Sequence, residues 1–161
     1  MDVPDLSHVV TQRGKRDCVI AALATTIQRS YEDVAKMLRI QLDDGGRPVE
    51  DKDVDIASAI YPLFASGWLS VIVYPKEAHK EEDEWKDRSP TSDVLKHQLL
   101  GLRAVIGYKD PDPEVGPHAL AWDGERAIDC GDATFVSLDQ ITLEGALILV
   151  RTPRHPKRVK T

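Results

Sequence analysis

The sequence is poor in cysteine, in long apolar runs and in the features of exported proteins. Only two cysteines, Cys18 and Cys130, occur in 161 residues, which excludes a disulfide-built scaffold and a zinc site made of four cysteines. No apolar stretch approaches the roughly 18 residues that span a membrane. The first residues lack the basic segment and apolar run of a secretory signal. We therefore expect a cytoplasmic protein with two reduced thiols and no membrane partner.

Length and composition favour one folded domain. A chain of 161 residues corresponds to a domain of ordinary size and can bury a sizeable core. Hydrophobic residues make up 42% and charged residues 30%, which is typical of a globular protein and not of a disordered one. We predict a single domain over residues 1–150, followed by a basic C-terminal tail over residues 151–161.

The net charge of −6 is unevenly distributed along the chain. Residues 151–161 contain five lysines or arginines and no acid, so residues 1–150 hold 16 basic and 27 acidic residues, a net charge of −11. This acidic body argues against a broad nucleic-acid surface, because phosphate backbones bind clusters of Lys and Arg. The tail suits contact with a phosphate or an acidic partner, or else forms an unpacked solubilising end.

Helical patterns dominate the first half of the chain and strand patterns the second. This order predicts an α+β fold, with N-terminal helices packed on a C-terminal antiparallel sheet. Two charged segments, 42–53 and 76–93, have too few apolar residues to join the core, and the second is expected to be a mobile surface insertion. Helices are predicted at 18–28, 31–39, 53–67 and 92–101, strands at 68–74, 103–108, 118–122, 126–130 and 146–152, and a connection with one helical turn before the last strand.

Cys18 is predicted to stand at the start of the first helix. The segment before it is polar and contains Gly14, whereas the segment after it, VIAALATTI, is an apolar helix body. A thiol at a helix N-terminus experiences the positive end of the dipole, which favours the thiolate, and Lys15 and Arg16 add positive potential. Cys18 is therefore a candidate nucleophile. The alternative is a small buried side chain, which is common for a free cysteine.

A second group of candidates lies on a predicted hairpin, HALAWDGERAIDC. Asp123-Gly124 is a favoured two-residue turn, and that turn would set His118 opposite Asp129. A four-residue loop would set Leu120 opposite Asp129, but His118 would still share a face with Asp129 because side chains alternate with a period of two. Either loop pairs an imidazole with a carboxylate, whereas Asp123 is expected at the solvent end of the turn. The alternative is an ordinary cross-strand polar pair.

These residues supply a nucleophile, a base and an orienting group. Cys18, His118 and Asp129 together are typical of cysteine-dependent acyl chemistry. Such a thiolate and histidine need no cofactor, and no His/Cys cluster has the spacing of metal ligands. The remaining histidines show no catalytic pattern: His8, His79, His97 and His155.

The segment TQRGKRDCVIAALATTI resembles the nucleophile region of papain-like cysteine peptidases, most closely the double-glycine leader peptidase domains of bacteriocin exporters. As in those domains, Gln12 precedes Cys18 by six positions and Asp17 precedes it directly. The segments HALAW and AIDCG match the family pattern around its histidine and aspartate, here His118 and Asp129. The closing FVSLDQITLEGALILV is similar to the family's last helical turn and strand, so the resemblance covers nearly the whole chain.

The resemblance implies a papain-like fold and a thiol hydrolase, a cysteine peptidase that cleaves a peptide or isopeptide bond in a protein or peptide substrate. It implies that Cys18 is the nucleophile, that His118 is the base and that Asp129 orients the imidazole. It also implies that the side chain of Gln12 donates a hydrogen bond to the oxyanion.

The sequence departs from the family at three positions. Val19 stands where the family has glycine, Pro117 precedes the histidine, and Cys130 replaces the proline that commonly follows the aspartate. Two alternatives therefore stay open. The same triad supports deamidation or transglutaminase-like acyl transfer, because the acceptor of the acyl group is not encoded in the triad. A catalytically idle papain-fold binding module is the other alternative, and Val19 is the residue that favours it.

Overall fold

The computed structural model describes residues 8–109 and 116–152. As the sequence pattern predicted, they form an α+β fold in which helices pack on an antiparallel sheet. The last strand runs one residue past the predicted end of the domain, and the rest of the predicted tail, from residue 153, lies outside the described residues. The four α-helices are α1 (Cys18–Ile27), α2 (Tyr31–Met37), α3 (Ile60–Ala65) and α4 (Ser92–Gln98).

Six antiparallel strands form a single sheet in the described part of the chain. They are β1 (Trp68–Val73), β2 (Arg103–Lys109), β3 (Pro117–Trp122), β4 (Ala127–Asp129), β5 (Thr134–Val136) and β6 (Leu143–Arg151). Across the sheet they lie in the order β1-β6-β2-β3-β4-β5, so β1 and β5 are the edges. Because β1 pairs with β6, the sheet joins the helical half of the chain to its last strand.

Helix α1 is the central helix of the fold, and all ten of its residues are buried. Its sequence, CVIAALATTI, contains small residues that allow close approach to the sheet and carries no charge. The two threonines satisfy their buried hydroxyls: Thr25 Oγ1 accepts from the Val10 backbone N–H at 2.8 Å, and Thr26 Oγ1 donates to the Ala22 carbonyl at 2.7 Å. The helix therefore packs on one sheet face without an unsatisfied hydroxyl.

The two faces of the sheet are covered by different helices. On one face, Val105, Ala121 and Leu147 share a buried cluster with α1. On the other face, Leu95 of α4 and Leu99, which directly follows the helix, are buried in a second cluster with strand residues. No helix among the described residues is long and apolar enough to cross a membrane.

Most helix boundaries follow the predicted signals. Ser30 caps α2 by accepting from the Asp33 backbone N–H at 3.1 Å, and Thr91 caps α4. Gly67 follows α3 with a φ of +84°, which glycine adopts without strain. The predicted helix over 53–67 is shorter than expected: a 3₁₀ turn at Ile56–Ala59 precedes α3. Pro62 lies in the first turn of α3, where its missing N–H costs no hydrogen bond.

The hairpin and the chain that follows it differ from the simplest prediction. The loop between β3 and β4 has four residues, so Asp129 pairs with Leu120 and the two-residue turn is wrong. The segment after β4 contains the expected helical turn, at Leu138–Gln140, but it also forms β5. This short edge strand pairs with β4 and was missed because its three residues carry too little pattern.

The charged segment 76–93 lies on the surface, as expected, but side-chain contacts hold it in place. His79 bridges the segment: its Nδ1 lies 2.7 Å from Asp83 Oδ2 and its Nε2 lies 2.9 Å from Ser89 Oγ. A backbone hydrogen bond joins the two ends of the segment: the Lys76 N–H donates to the Pro90 carbonyl at 2.6 Å. His79 thus has a structural role that the sequence pattern did not indicate.

Candidate active site

Cys18 is the first residue of α1, as predicted, and its side chain is almost buried, with 8% of the residue exposed. The preceding turn is shaped by the carboxylate of Asp17. Asp17 Oδ2 accepts from the backbone N–H groups of Arg13 and Gly14, both at 2.9 Å, and from the Tyr31 hydroxyl. These bonds fix the polypeptide immediately before Cys18, so the start of α1 has one defined position.

Tyr31 supports this turn from α2, a role that the sequence analysis did not assign. Burial first, and then the hydrogen bond to Asp17, raise the pKa of the Tyr31 phenol, so the hydroxyl stays protonated and donates. The Arg13 guanidinium lies 4.4 Å from the centre of the Tyr31 ring and donates to Glu32 Oε1 at 2.6 Å. The sequence carried no signal for this role, because the burial of Asp17, which creates the need for a donor, is visible only in the structure.

His118 and Asp129 meet on neighbouring strands. Asp129 stands opposite Leu120, and His118, two positions away, shares its face; His118 Nε2 lies 3.1 Å from Asp129 Oδ1. The hydrogen bond with Asp129, and then one with the Cys18 thiol, raise the pKa of His118 to about 10, although burial opposes the rise. The imidazole therefore carries a proton at neutral pH and lies between the thiol and the carboxylate.

The carboxylate of Asp129 is held in its charged form. The hydrogen bond from His118, the largest effect, lowers the Asp129 pKa, and the backbone N–H of Gly131 also donates to Oδ1, at 2.7 Å. A Cβ on Gly131 would lie 3.1 Å from Asp129 Oδ1, so the glycine leaves room for the carboxylate in this position. The residues after β4 therefore help to orient the acid.

The Tyr108 ring contacts the His118 imidazole from the neighbouring strand. Tyr108 and His118 are direct partners in the pairing of β2 with β3, and their rings meet edge to face with centroids 5.7 Å apart. This contact limits rotation of the imidazole about its side-chain bonds. Tyr108 was not among the predicted site residues, because the hairpin pattern contains no information about the strand on its other side.

Gln12 lies beside the residues that follow Asp129. Its backbone N–H donates to the Cys130 carbonyl at 2.8 Å, and its side-chain amide donates to the Gly14 carbonyl at 3.0 Å. A Cβ on Gly131 would be 3.5 Å from Gln12 Oε1. The structure thus brings Gln12 to the same end of the sheet as Asp129. One of the two amide hydrogens is already used within the turn before Cys18.

The two cysteines are free and differ in their surroundings. Cys130 points away from Asp129, towards α1, where its Sγ lies 3.5 Å from Thr25 Oγ1. Burial raises the pKa of the Cys130 thiol to about 11, so it stays protonated. Val19, which replaces the glycine of the resembled family, is the second residue of α1 and is buried in the core cluster. Cys18 is therefore the cysteine that has a histidine partner.

The structure corrects the role expected for Asp123. Only 2% of this residue is exposed, so it does not project into solvent at the end of the turn. Asp123 Oδ1 accepts from the backbone N–H groups of Glu125 and Arg126, at 2.9 and 2.6 Å, and Oδ2 lies 3.1 Å from the Arg126 guanidinium. Its carboxylate organises the four-residue loop.

The described residues contain no group of three or more His, Cys, Asp or Glu side chains arranged to hold a metal ion. His97 is exposed on α4, and His155 lies outside the described residues. The chemistry available at this end of the sheet is that of a thiol, an imidazolium and a carboxylate in a row. A site of this kind adds a nucleophile to an acyl carbon and protonates the leaving group.

Comparison with known proteins adds no relative: no protein-family model matches the chain, and no curated protein matches it.

Proposed function

We propose that this chain is a papain-like thiol hydrolase, a cysteine peptidase that cleaves a peptide or isopeptide bond. The observation that carries the proposal is the position of the His118 imidazole, which is hydrogen-bonded to Cys18 and to Asp129. A nucleophile, a base and an orienting acid, with the base interacting with both of the others, form the arrangement that cysteine-dependent acyl transfer requires.

A papain-like fold is part of the proposal. Cys18 begins a buried helix, while His118 and Asp129 lie on adjacent antiparallel strands of the sheet on which that helix packs. The order of nucleophile, base and acid along the chain agrees with the resemblance noted from the sequence. The departure at Val19 is accommodated, because its side chain is buried within the core cluster.

In the proposed reaction, Cys18 Sγ attacks the carbonyl carbon as a thiolate, with protonated His118 beside it. A C–S bond forms, and the carbonyl electron pair moves onto oxygen. The backbone N–H of Cys18 and the amide of Gln12 then donate to this oxyanion, an interaction worth roughly 3–4 kcal/mol in typical enzymes. Gln12 retains one amide hydrogen beyond the bond to Gly14 for this purpose.

Collapse of the tetrahedral intermediate breaks the C–N bond, and His118 gives its proton to the leaving nitrogen. The neutral imidazole next takes a proton from a water molecule, whose oxygen attacks the thioester carbon. The C–S bond breaks, and the thiolate and imidazolium are restored. Asp129 keeps the ring oriented throughout, because its Oδ1 is fixed by the Gly131 backbone N–H.

Alkylation of the intact protein by iodoacetamide tests the proposal. At pH 6 we expect one adduct, on Cys18, formed about tenfold faster than on an ordinary thiol, whose pKa is about 8.5. Cys18→Ser is the matched control and should give no adduct, because Cys130 is buried and protonated. A Cys18 rate that rises with pH like that of an ordinary thiol would contradict the proposal and favour a catalytically idle binding module.

A further inference from the structure

A cavity of about 440 Å³ opens directly beside the turn that precedes Cys18. One wall is formed by that turn, through Gly14, Arg16 and Asp17, and the other by the chain between Leu38 and Asp55. Since Asp17 and Cys18 are consecutive, their Cα atoms are about 3.8 Å apart. The cavity is therefore lined by the residue that directly precedes Cys18 in the chain.

The far wall is fixed to the Cys18 turn rather than merely lying near it. The Arg13 guanidinium donates to the Gly46 carbonyl at 3.2 Å and to Glu32 at 2.6 Å, so it links three segments. In the loop that connects the two lining stretches, 38–41 and 48–55, Asp43 Oδ1 accepts from two backbone N–H groups and closes a tight turn. These contacts hold the cavity open in a defined place.

The walls combine apolar surface with an excess of negative charge. The apolar part comes from side chains such as Leu38, Ile40 and Val54. Five carboxylates and three cationic side chains also line the cavity, a net charge of −2. Two of the cations are already engaged in the cavity wall: Arg16 Nη1 is 3.8 Å from Asp53 Oδ2, and Lys52 pairs with Glu50.

Two carboxylate groups have acceptor capacity to spare. Asp51 is exposed and has no hydrogen-bond or ion partner among the described residues. Asp17 is 98% buried, and while its Oδ2 accepts three hydrogen bonds, its Oδ1 has no partner in the described part of the chain. Because Asp17 Oδ1 is enclosed, the acceptor open to a cation in this cavity is the exposed carboxylate of Asp51.

We propose that this cavity is the specificity pocket of the peptidase and that it receives a lysine or arginine side chain of the substrate. The basic residue is one of the two that precede the cleaved bond. Its aliphatic stem packs along the apolar wall, and its cationic end pairs with Asp51 and the neighbouring acids. This inference rests on the proposed function, because it assigns the substrate class of the same site.

Chloromethyl ketone peptides give a direct test, since the Cys18 thiolate displaces chloride from them and forms a C–S bond. Two pairs of probes are reacted with the 161-residue chain. The members of a pair differ in carrying lysine or norleucine, at the first residue before the reactive group in one pair and at the second in the other. Norleucine has nearly the same aliphatic stem without the charge. In at least one pair, the lysine probe should inactivate the protein about tenfold faster than the norleucine probe in low salt. The ratio of the two inactivation rates should fall at high salt, because added ions screen the attraction between charges.

Two variants distinguish recognition of the lysine side chain in the cavity from general attraction by the negatively charged chain. Asp51→Asn should reduce the lysine-to-norleucine ratio several-fold, whereas Asp44→Asn should leave it unchanged. Asp44 is an exposed acid in the same part of the chain that does not line the cavity. Asp44→Asn should also keep the wild-type rate with iodoacetamide, which has no side chain to place in the pocket. The lysine and norleucine rates of Asp51→Asn are each divided by that variant's own iodoacetamide rate, so that a general change in Cys18 reactivity does not count as a loss of the pocket.

The outcomes distinguish the two proposals. Rapid reaction with iodoacetamide at pH 6 but a ratio near one for both probe pairs would overturn the basic pocket and leave the proposed function standing. Equal reductions for Asp51→Asn and Asp44→Asn would also overturn the pocket, because they would indicate long-range attraction alone. Slow reaction with iodoacetamide would overturn the proposed function, and the pocket assignment with it.

Discussion

The His118 imidazole lies 3.1 Å from Asp129 Oδ1 although the two residues are not direct partners in the sheet. Asp129 stands opposite Leu120, so the contact crosses the hairpin diagonally. Diagonal neighbours on one face are within reach of long or aromatic side chains, and an imidazole spans the gap. The pairing also leaves the start of β3 free to meet the start of α1, where Cys18 lies.

Asp129→Asn should impair the reactivity of Cys18 while leaving the protein folded. The asparagine removes the charge that stabilises protonated His118, so the His118 pKa falls and the imidazole changes its protonation near neutral pH. We expect alkylation of Cys18 by iodoacetamide at pH 6 to slow about tenfold or more. Intact-mass time courses of wild type and variant measure the effect.

Asp123→Asn is the matched control on the same hairpin. Asn keeps an acceptor for the backbone N–H groups of the loop but loses the ion pair with Arg126, so unfolding should become easier by about 1 kcal/mol. Its alkylation rate should match that of wild type. If Asp123→Asn slowed alkylation and Asp129→Asn did not, Asp129 would not be the orienting acid.

The stability of the protein should depend on pH through His118. Its pKa is raised from 6.5 to about 10 in the folded state, so the folded protein holds a proton that the unfolded chain releases above about pH 6.5. The resulting stabilisation is fully present below pH 6.5 and is lost as the pH rises towards 10. The free energy of unfolding, measured in urea at several pH values, should therefore decline across this window. The decline should be larger in the wild type than in His118→Asn.

The same titration in His118→Asn provides the reference. Asparagine cannot titrate, so the difference in unfolding free energy between wild type and variant isolates the histidine. A difference that stays constant from pH 6 to 10 would mean that the pKa of His118 is not raised in the folded protein.

Tyr31→Phe should destabilise the fold and loosen the turn before Cys18. The substitution removes the hydroxyl that donates to Asp17 and leaves a buried carboxylate with only its two backbone donors. We expect a loss of about 1–3 kcal/mol in the free energy of unfolding, measured in urea. Tyr61→Phe, at a residue that is 85% exposed, should change it by less than about 0.5 kcal/mol. Equal effects of the two substitutions would exclude a special role for the Tyr31 hydroxyl.

His79→Ala should expose the segment 76–93 to proteases. The imidazole is the link between Asp83 and Ser89, so its removal frees the charged turn that it holds. Limited proteolysis should cut the variant within 76–93 earlier than wild type. His97→Ala, at an exposed histidine on α4, should leave the cleavage pattern unchanged. Cutting of wild type at the same early time would show that the segment opens regardless of His79.

Several properties of the site follow from local sequence. A polar segment before an apolar run is sufficient to start a helix at Cys18, because the helix N-terminus needs exposed donors and its body needs burial. The alternation of side chains along a strand is sufficient to place His118 and Asp129 on one face for any even loop length. The α+β class and most helix boundaries follow in the same way, from periodicity and capping residues.

Other properties depended on contacts between distant segments. The four-residue loop replaced the two-residue turn because Asp123 is buried and binds the backbone of its own loop, and residue preferences alone do not reveal burial. The support given by Tyr31 and Tyr108 depends on how α2 and β2 pack beside the site. The meeting of Cys18 with His118, a hundred residues away, is decided by the packing of a helix on a sheet. Local sequence specifies each partner's secondary structure, but only the buried interface between the two elements fixes their distance.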